Sequence, residues 1–340
     1  MSLEIVILAA GKGKRMHSAL PKVLHRVANR PMLEHVIRTS AELNPKAIHV
    51  VIGHMAEKVE QMLNELPENL RKLVTISVQE EQLGTGHAVN CAMPKVADDS
   101  DVLVLYGDTP LTPADLLKDL IASLAGNELS VLSAIAPNPY GYGRIIRGSD
   151  NKLKAIVEEK DATDEQRKID EVNTGMIVCK ASVLKEYLPK LKNNNAQGEY
   201  YLTDLSGQLS SEGKAVNILI APDFDILSGV NSKPQLAFVE RLYQKNQADK
   251  LMVAGVTLAD PQRIDVRGEL TCGEDVFIDI NCVFEGKVVL GNNVKICAGC
   301  VIKNCTIGDN SVISPYSVLE DSEIKKAATI GPFARLRPGN

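Results

Sequence analysis

The fold of this chain is decided by residues 5–16, which read Ile5-Val6-Ile7-Leu8-Ala9-Ala10-Gly11-Lys12-Gly13-Lys14-Arg15-Met16. The apolar, β-branched first half predicts a buried strand. In the second half two glycines alternate with Lys and Arg. This composition is typical of a phosphate-binding loop, because glycine lets the backbone approach a ligand closely and the cations supply charge. The simpler alternative is a strand-to-helix turn with a solvated basic edge.

Two familiar nucleotide-binding loops do not match this stretch. A Walker A loop requires Gly-x-x-x-x-Gly-Lys-Ser/Thr, which these residues do not form. The dinucleotide fingerprint Gly-x-Gly-x-x-Gly fits Gly11 and Gly13, but Met16 stands where its third glycine belongs. The loop therefore indicates a phosphate ligand without naming it.

The composition is that of a packed globular chain of about two domains, with 340 residues, 44% hydrophobic and 24% charged. The net charge of −5 argues against a nucleic-acid scaffold, so the local cations favour a small anionic ligand. No apolar run reaches membrane-spanning length, and the N-terminus enters a strand without a leader pattern, so we predict a cytoplasmic protein. In that reducing compartment the seven cysteines are expected as free thiols.

Strand and helix patterns alternate up to about residue 230. Apolar runs predict strands over residues 47–53, 73–79, 101–106 and 129–136, while Pro31 and Pro113 open amphipathic helices. This alternation predicts a doubly wound, Rossmann-like α/β domain with a parallel sheet and helices on both faces. Such sheets bind ligands beyond the carboxyl ends of their strands, which places residues 9–15, 79–87 and 106–110 on one edge.

The loop at residues 79–87 carries groups suited to a nucleotide base. Gln79 and Gln82 each offer an amide donor and acceptor, and Gly84 and Thr85 admit close backbone approach. A turn leading into the following helix would explain the same residues. His87 receives no role, because a helix N-terminus disfavours its protonated form.

Asp108 follows the most apolar strand, within Tyr106-Gly107-Asp108-Thr109-Pro110. Mg²⁺ is usually held by one or two carboxylates together with substrate phosphates, so an Asp beside a phosphate loop is a candidate ligand. Asn231 is a candidate second oxygen ligand. The alternative for Asp108 is the cap of an Asp-x-Pro turn.

Taken together, these motifs resemble the sugar-1-phosphate nucleotidyltransferases. The matching segments are residues 8–16, 21–22, 82–86 and 106–108, in the same order and spacing. Residues 160–163 and 193–201 resemble more specifically the N-acetylglucosamine-1-phosphate uridyltransferase half of bifunctional bacterial enzymes, which also acetylate glucosamine-1-phosphate. The resemblance implies uridylyl transfer from UTP to N-acetylglucosamine-1-phosphate, giving UDP-N-acetylglucosamine for peptidoglycan and lipopolysaccharide synthesis.

The resemblance also implies a set of site residues. Arg15, Lys22 and Asp108 would be catalytic, with Arg15 and Lys22 on the phosphates and Mg²⁺ held by Asp108 and Asn231. The implied substrate contacts are Leu8, Ala9, Ala10 and Gly11 for the nucleotide, Gln79, Gln82, Gly84 and Thr85 for uracil and ribose, and Tyr106, Gly107, Gly143, Glu158 and Asn173 on the sugar side.

Residues 232–255 predict a helical connector between a nucleotidyltransferase domain, residues 1–231, and a second domain, residues 256–340. Ser232 suits an N-cap and Gly255 ends the run. The apolar stripe is incomplete, so we expect a partly solvated arm. A helix packed flat on the first domain is the alternative.

The last part of the chain repeats with a period of six. Every sixth position from Leu270 is Leu270, Val276, Cys282, Val288, Val294, Cys300, Thr306, Val312, Val318, Ile324, Ile330 and Leu336, of which eleven are apolar or Cys. Such repeats predict short strands stacked into a solenoid. The resemblance implies a left-handed parallel β-helix. The cysteines at 297, 300 and 305 read as small core residues, and their spacing does not fit the usual zinc motifs.

The resemblance implies a homotrimer formed through this β-helix, with acetyl transfer from acetyl-CoA between subunits. Arg337 matches a position at the acetyl-acceptor site. Family members continue for several more coils, which carry the catalytic histidine and the acetyl-CoA contacts. We therefore expect a truncated acetyltransferase domain without that activity.

Two alternatives stay open from the sequence. One is a thymidylyl- or adenylyltransferase for glucose-1-phosphate, against which residues 193–201 argue. The other is a non-catalytic binding or assembly subunit on the same fold, which would not require Arg15, Lys22 and Asp108.

Overall fold

The computed structural model describes residues 2–338, which form two units. The first comprises residues 2–25 and Pro31–Lys233, and the second comprises Arg26–Arg30 and residues 234–338. The short segment at 26–30 therefore belongs with the second unit although it precedes most of the first. None of the helices in the described part of the chain is long and apolar enough to span a membrane.

The strands up to residue 220 lie in the first unit, apart from those that include residues 26–30. They are β1 (Ser2–Leu8), β2 (Arg26–Val27), β3 (Arg30–Pro31), β4 (Ala47–Ile52), β5 (Val74–Val78), β6 (Ser100–Tyr106), β7 (Leu129–Ile135), β8 (Arg144–Arg147), β9 (Leu153–Val157), β10 (Glu171–Lys180) and β11 (Val216–Ile220). The α-helices between them are α1 (Met32–Ala41), α2 (Ala56–Asn64), α3 (Glu68–Arg71), α4 (Thr85–Ala92), α5 (Ala114–Ala122), α6 (Asp164–Arg167), α7 (Ala181–Tyr187) and α8 (Asp204–Ser211).

A nine-stranded sheet organises this unit, in the order β11-β7-β10-β6-β1-β4-β5 with β8 and β9 attached to β10. The pairs β11–β7, β6–β1, β1–β4 and β4–β5 are parallel. Strand β10 runs antiparallel to both β6 and β7, so the expectation of a wholly parallel sheet is wrong. The apolar run of β10 did not reveal this, because direction has no signature in a strand that is buried on both faces.

Strand β1 explains why its sequence is apolar without alternation. Ile5 and Ile7 pack into the core cluster that contains Leu33 and Ile37 of α1. Val6 and Leu8 point the other way, into the cluster that contains Val89 of α4. Both faces of the strand are covered by helices, as the doubly wound arrangement requires.

The second unit begins with a helix and continues as a coil of short strands. Its elements are α9 (Lys233–Val253), β12 (Thr257–Leu258), β13 (Ile264–Cys272), β14 (Phe277–Ile278), β15 (Cys282–Leu290), β16 (Lys295–Ile296), β17 (Val301–Lys303), β18 (Thr306–Ile307), β19 (Val312–Ile313), β20 (Val318–Glu320), β21 (Glu323–Ile324), β22 (Thr329–Ile330) and β23 (Arg335–Leu336). The strands β12–β23 pair in parallel throughout the described residues, and they stack into a parallel β-helix.

The six-residue series holds only up to Cys300. Val283 pairs with Val301, eighteen residues on, whereas Val301 pairs with Val318, seventeen residues on. A strict count of six therefore slips by one residue. Cys282 and Cys300 are buried as predicted, but the series members Thr306, Val312 and Val318 are not buried, whereas the residues one position earlier, Cys305, Ser311 and Ser317, are.

One face of helix α9 packs against the β-helix, while most of its residues stay at least partly exposed, as in the predicted partly solvated helix. Ala248 packs in the core of the β-helix, where it contacts the cluster that includes Val256 and Ile264. The buried side chain of Gln244 accepts from Val266 N at 2.7 Å and donates to Val266 O at 3.1 Å. This amide replaces a strand neighbour for Val266 at the open start of the coil.

We predict that Gln244→Leu destabilises the second unit by about 2–3 kcal/mol, because it leaves both polar groups of the Val266 backbone buried without partners. Urea unfolding and hydrogen exchange at the Val266 amide measure the effect. Lys250→Leu, at an exposed position of the same helix, is the control and should stay within about 0.5 kcal/mol. Unchanged exchange protection at Val266 in the Gln244 variant would contradict the pairing.

Candidate active site

A cavity of about 460 Å³ opens at the carboxyl ends of β1, β5 and β6. Because Leu8 pairs with both Tyr106 and Val51, the loops after β1 and β6 start at the same level beside the end of β4. The residues that line the cavity are Leu8, Ala9, Ala10, Gly11, Lys12, Lys14, Lys22, Val23, Gln79, Gln82, Gly84, Thr85, Ala88, Tyr106, Asp108 and Glu199. Eleven of the residues predicted from sequence are among these.

The loop after β1 brings Lys22 to the edge of the cavity. Gly13 has φ 55°, and a Cβ there would lie 2.7 Å from Lys22 Cβ, so a side chain at this position would push Lys22 away. Gly11 has open space around it, which leaves its backbone free to face a ligand. Lys12 and Lys14 also line the cavity.

Lys22 joins two oxygens that come from distant parts of the chain. Its Nζ donates to Asp108 Oδ2 and, at 2.9 Å, to Asn231 Oδ1. The backbone holds this arrangement, since Val230 N donates to Asp108 O at 3.0 Å. Both members of the ion pair are largely buried, with 15% of the Lys22 side chain and 11% of the Asp108 side chain exposed.

The loop after β5 is fixed by amide hydrogen bonds. Gln79 is 3% exposed, and its Nε2 donates to Gly84 O at 3.1 Å. Gln82 Nε2 in turn donates to Gln79 O at 3.2 Å. Gly84 has φ 111°, and a Cβ there would lie 2.6 Å from Tyr200 O, so only glycine fits.

A second polar group of residues lies beside Tyr106. A Cβ on Gly143 would lie 3.3 Å from Glu158 Oε1, and Asn173 N donates to Gly143 O at 2.8 Å. Burial raises the pKa of Glu158, and the neighbouring carboxylates of Asp204, Asp161 and Glu199 add to the increase, while a hydrogen bond from Thr203 opposes it. The structure therefore collects Tyr106, Gly143, Glu158 and Asn173 in one place.

The two segments that resemble the uridyltransferases most specifically contact each other. Lys160 Nζ donates to Gln197 Oε1 at 2.7 Å, and Ala196 N donates to Asp161 Oδ1 at 2.9 Å. Tyr200 in turn contacts the start of α4, where its carbonyl accepts a hydrogen bond from Gly86 N at 2.8 Å. This contact brings Glu199 to the cavity wall, which the sequence reading did not anticipate.

Seven predicted residues do not line the cavity. Arg15 lies in an exposed turn at Lys14–Met16 and is not among the lining residues. Arg337 is exposed and follows β23 in the second unit. Asn231, Gly107, Gly143, Glu158 and Asn173 do not line the cavity either. Asn231 bonds directly to the lining residue Lys22.

Comparisons with known proteins agree with this architecture. A MobA-like NTP transferase domain matches residues 5–169, and a GMPPB C-terminal domain matches residues 266–339. Among solved structures, UDP-glucose pyrophosphorylase complexed with UDP-glucose aligns over 72% of this chain and 100% of its own, with TM-score 0.58 and 16% identity. A Bacillus anthracis structure described as a glucose-1-phosphate thymidylyltransferase aligns over 71% of this chain and 95% of its own, with TM-score 0.54 and 20% identity. At these identities the likeness shows the fold.

Curated relatives are much closer in sequence. Bifunctional protein GlmU of Marinobacter nauticus is 52% identical over 337 residues, which is 99% of this chain and 73% of that protein. Bifunctional protein GlmU of Cupriavidus pinatubonensis is 51% identical over 339 residues, again 99% of this chain and 73% of that protein. The fold, the glycine loop and these matches define a nucleotidyltransferase. The chain belongs to the GlmU family.

We predict that Gly84→Ala costs about 1–3 kcal/mol of stability, because its Cβ would overlap Tyr200 O and alanine is strained at this φ. Thermal unfolding measures the effect. Gly11→Ala is the matched control, since a Cβ there meets nothing within 4 Å, and it should stay within about 0.5 kcal/mol. Equal stability of the two variants would show that the turn at Gly84 tolerates a side chain.

Proposed function

We propose that this protein transfers the uridylyl group of UTP to N-acetylglucosamine-1-phosphate, releasing pyrophosphate and forming UDP-N-acetylglucosamine. Membership of the GlmU family supports this reaction. The observation that carries it is the convergence, on one cavity, of a glycine loop, a Lys22–Asp108–Asn231 cluster and an amide-bearing loop.

The reaction is an in-line displacement at the α-phosphorus. A phosphate oxygen of the sugar phosphate forms the new P–O bond as the bond to pyrophosphate breaks, and the leaving group carries the negative charge away. No protein nucleophile is required, so the chain acts by positioning and by neutralising charge. Lys22, with Lys12 and Lys14 at the cavity wall and Arg15 nearby in the turn, is suited to bring two mutually repelling anions together.

The other residues would bind the substrates. Ala9 N donates to Val51 O, so the amides of Ala10 and Gly11 at the cavity wall would be the ones to hold phosphate oxygens, while Gln79, Gln82 and Gly84 form the wall suited to a uracil edge. Tyr106, Gly143, Glu158 and Asn173 would contact the N-acetylglucosamine, for which uncharged and acidic hydrogen-bonding groups are appropriate.

Mg²⁺ fits the oxygens around Lys22. Asp108 Oδ2 and Asn231 Oδ1 already share one cation, the Lys22 ammonium, which shows that the pocket favours positive charge. A carboxylate and an amide oxygen are ligands that Mg²⁺ takes when phosphates complete its coordination. When bound, the ion would neutralise charge on the triphosphate. Lys22 would then be free to contact the phosphates.

Family resemblance also supports a homotrimer of the β-helix. Sedimentation velocity of the purified chain tests this proposal independently of activity, and a monomer at all concentrations would overturn it.

Pyrophosphate release tests the proposed reaction. UTP, dTTP and ATP are each incubated with N-acetylglucosamine-1-phosphate and with glucose-1-phosphate, in Mg²⁺ and in EDTA. We expect release only with UTP, Mg²⁺ and the N-acetylated sugar phosphate. Preferred use of dTTP or ATP with glucose-1-phosphate would overturn the assignment, and no release in any mixture would favour a binding protein.

We predict that Asp108→Ala lowers Mg²⁺-dependent turnover at least about a hundredfold, because the site loses the carboxylate that pairs with Lys22. The thermal unfolding of the variant should resemble that of the unmodified protein. Asp115→Ala is the matched control, since that carboxylate is 92% exposed and pairs only with Lys118 on α5. Near-normal turnover of the Asp108 variant would contradict the proposed role of Asp108 as a metal ligand.

We predict that KM for N-acetylglucosamine-1-phosphate rises on acidification earlier than an ordinary glutamate would cause. The pKa of Glu158 is raised, so this group takes up its proton, and ceases to be a charged acceptor, at a higher pH than usual. KM measured from about pH 8 to about pH 5 tests this. Glu158→Gln is neutral throughout, so its KM should be higher but flat, and a retained acid limb in that variant would assign the effect to another group.

A further inference from the structure

The side-chain amide of Gln79 has both of its N–H groups engaged on the protein side. Nε2 lies 3.1 Å from Gly84 O and 3.1 Å from His87 Nδ1. An amide nitrogen carries two hydrogens, and two acceptors are present. No hydrogen bond to Gln79 Oε1 is present among the described residues, so the oxygen is the part of the amide left for a ligand.

His87 can accept this hydrogen bond in one tautomer only. Nδ1 must present its lone pair, so the proton of the neutral ring resides on Nε2. That nitrogen faces Cys91 Sγ at 3.9 Å, one turn further along α4. Burial, helped by the charge of Glu80, raises the pKa of the Cys91 thiol, so the sulfur remains an uncharged partner. The chain Cys91–His87–Gln79 therefore has a consistent direction.

Gly84 alone does not hold the amide firmly. Its carbonyl also accepts from Ala88 N at 3.1 Å, as the first turn of α4 requires. Within residues 2–338, His87 Nδ1 has no such competing donor. His87 is also absent from the cavity lining, so any influence on a ligand has to pass through Gln79.

The geometry assigns His87 as the positioning residue that keeps Gln79 Oε1 turned toward the nucleotide base as an acceptor. This inference rests on the proposed use of UTP. Uracil and thymine present an N3–H donor, which an oxygen accepts, whereas cytosine presents a bare N3 acceptor that an oxygen repels. The direction of this hydrogen-bond chain would thus select against CTP.

Two substitutions of similar shape distinguish loss of the hydrogen-bond acceptor at His87 from loss of the volume of its ring. His87→Asn places an amide oxygen near the position of Nδ1, and His87→Leu has the same shape as Asn without an acceptor. For each variant, kcat and KM are measured with UTP and with CTP at saturating sugar phosphate. We expect His87→Leu to raise KM for UTP about tenfold and to lower the UTP-to-CTP preference by a similar factor, with kcat changed less than about threefold. His87→Asn should stay within about threefold of the unmodified protein in both.

A purely structural role would give a different result. Loss of packing would lower kcat or the unfolding temperature in both variants and leave the ratio of UTP to CTP use unchanged. That outcome, or an unchanged KM and preference in His87→Leu, would overturn the proposal.

A second measurement requires no turnover. In ¹⁵N-histidine-labelled protein without nucleotide, the resonances of His87 are identified by their loss in His87→Asn. We expect the neutral ring with its proton on Nε2. A proton on Nδ1 would overturn the assigned direction of the hydrogen bond. If pyrophosphate release shows that UTP is not the substrate, this spectrum still decides whether His87 orients Gln79, so the two failures are distinguishable.

Discussion

The parallel register of β1 between β4 and β6 is the constraint on which the rest of the first unit depends. Leu8 is level with Val51 on one side and with Tyr106 on the other, so three consecutive segments of the active-site edge start at one height. Burial of β1 on both faces prevents any slip, because a shift of one residue would exchange the contacts of Ile5 and Ile7 with those of Val6 and Leu8. The spacing between the glycine loop, Tyr106 and Asp108 is set by this register.

At this edge of the sheet, the buried carboxylate of Asp108 requires a counter-charge, which Lys22 supplies. Asp108 is held by its strand end and by Val230, and its carboxylate is largely withdrawn from water. A buried carboxylate without a partner costs several kcal/mol, so a counter-charge must be present before any ligand arrives. The Lys22 ammonium provides it from a flexible stem. Under the proposed function, a stem of this kind would release Asp108 and Asn231 to an incoming cation and move to the phosphates.

The sequence predicted those parts of the fold and site that depend on local pattern. The strand and loop at residues 5–16, the carboxyl-end rule and the oxygens of Asp108 all follow from residue type and order. The direction of β10, the slip of the coil after Cys300 and the packing of α9 through Gln244 depend on contacts between segments far apart in the chain. Glu199 and His87 belong to the same category. A carboxylate in a polar loop and a histidine in a helix carry no signal of what the other segments bring beside them.

The exposed cations and the buried amide of the site recognise ligands by different means. The side chains of Lys12, Lys14 and Arg15 are exposed. For attracting phosphates, charge matters more than the direction of a hydrogen bond. Gln79 is buried and tied by directional bonds, because a neutral base is distinguished only by where its donors and acceptors lie. Recognition of a base therefore requires that residues outside the cavity lining fix which atoms of the amide donate and which accept. In this protein the hydrogen bonds of Gln79 extend to His87 and Cys91, so the proposed discrimination at the base edge would depend on two residues that do not line the cavity.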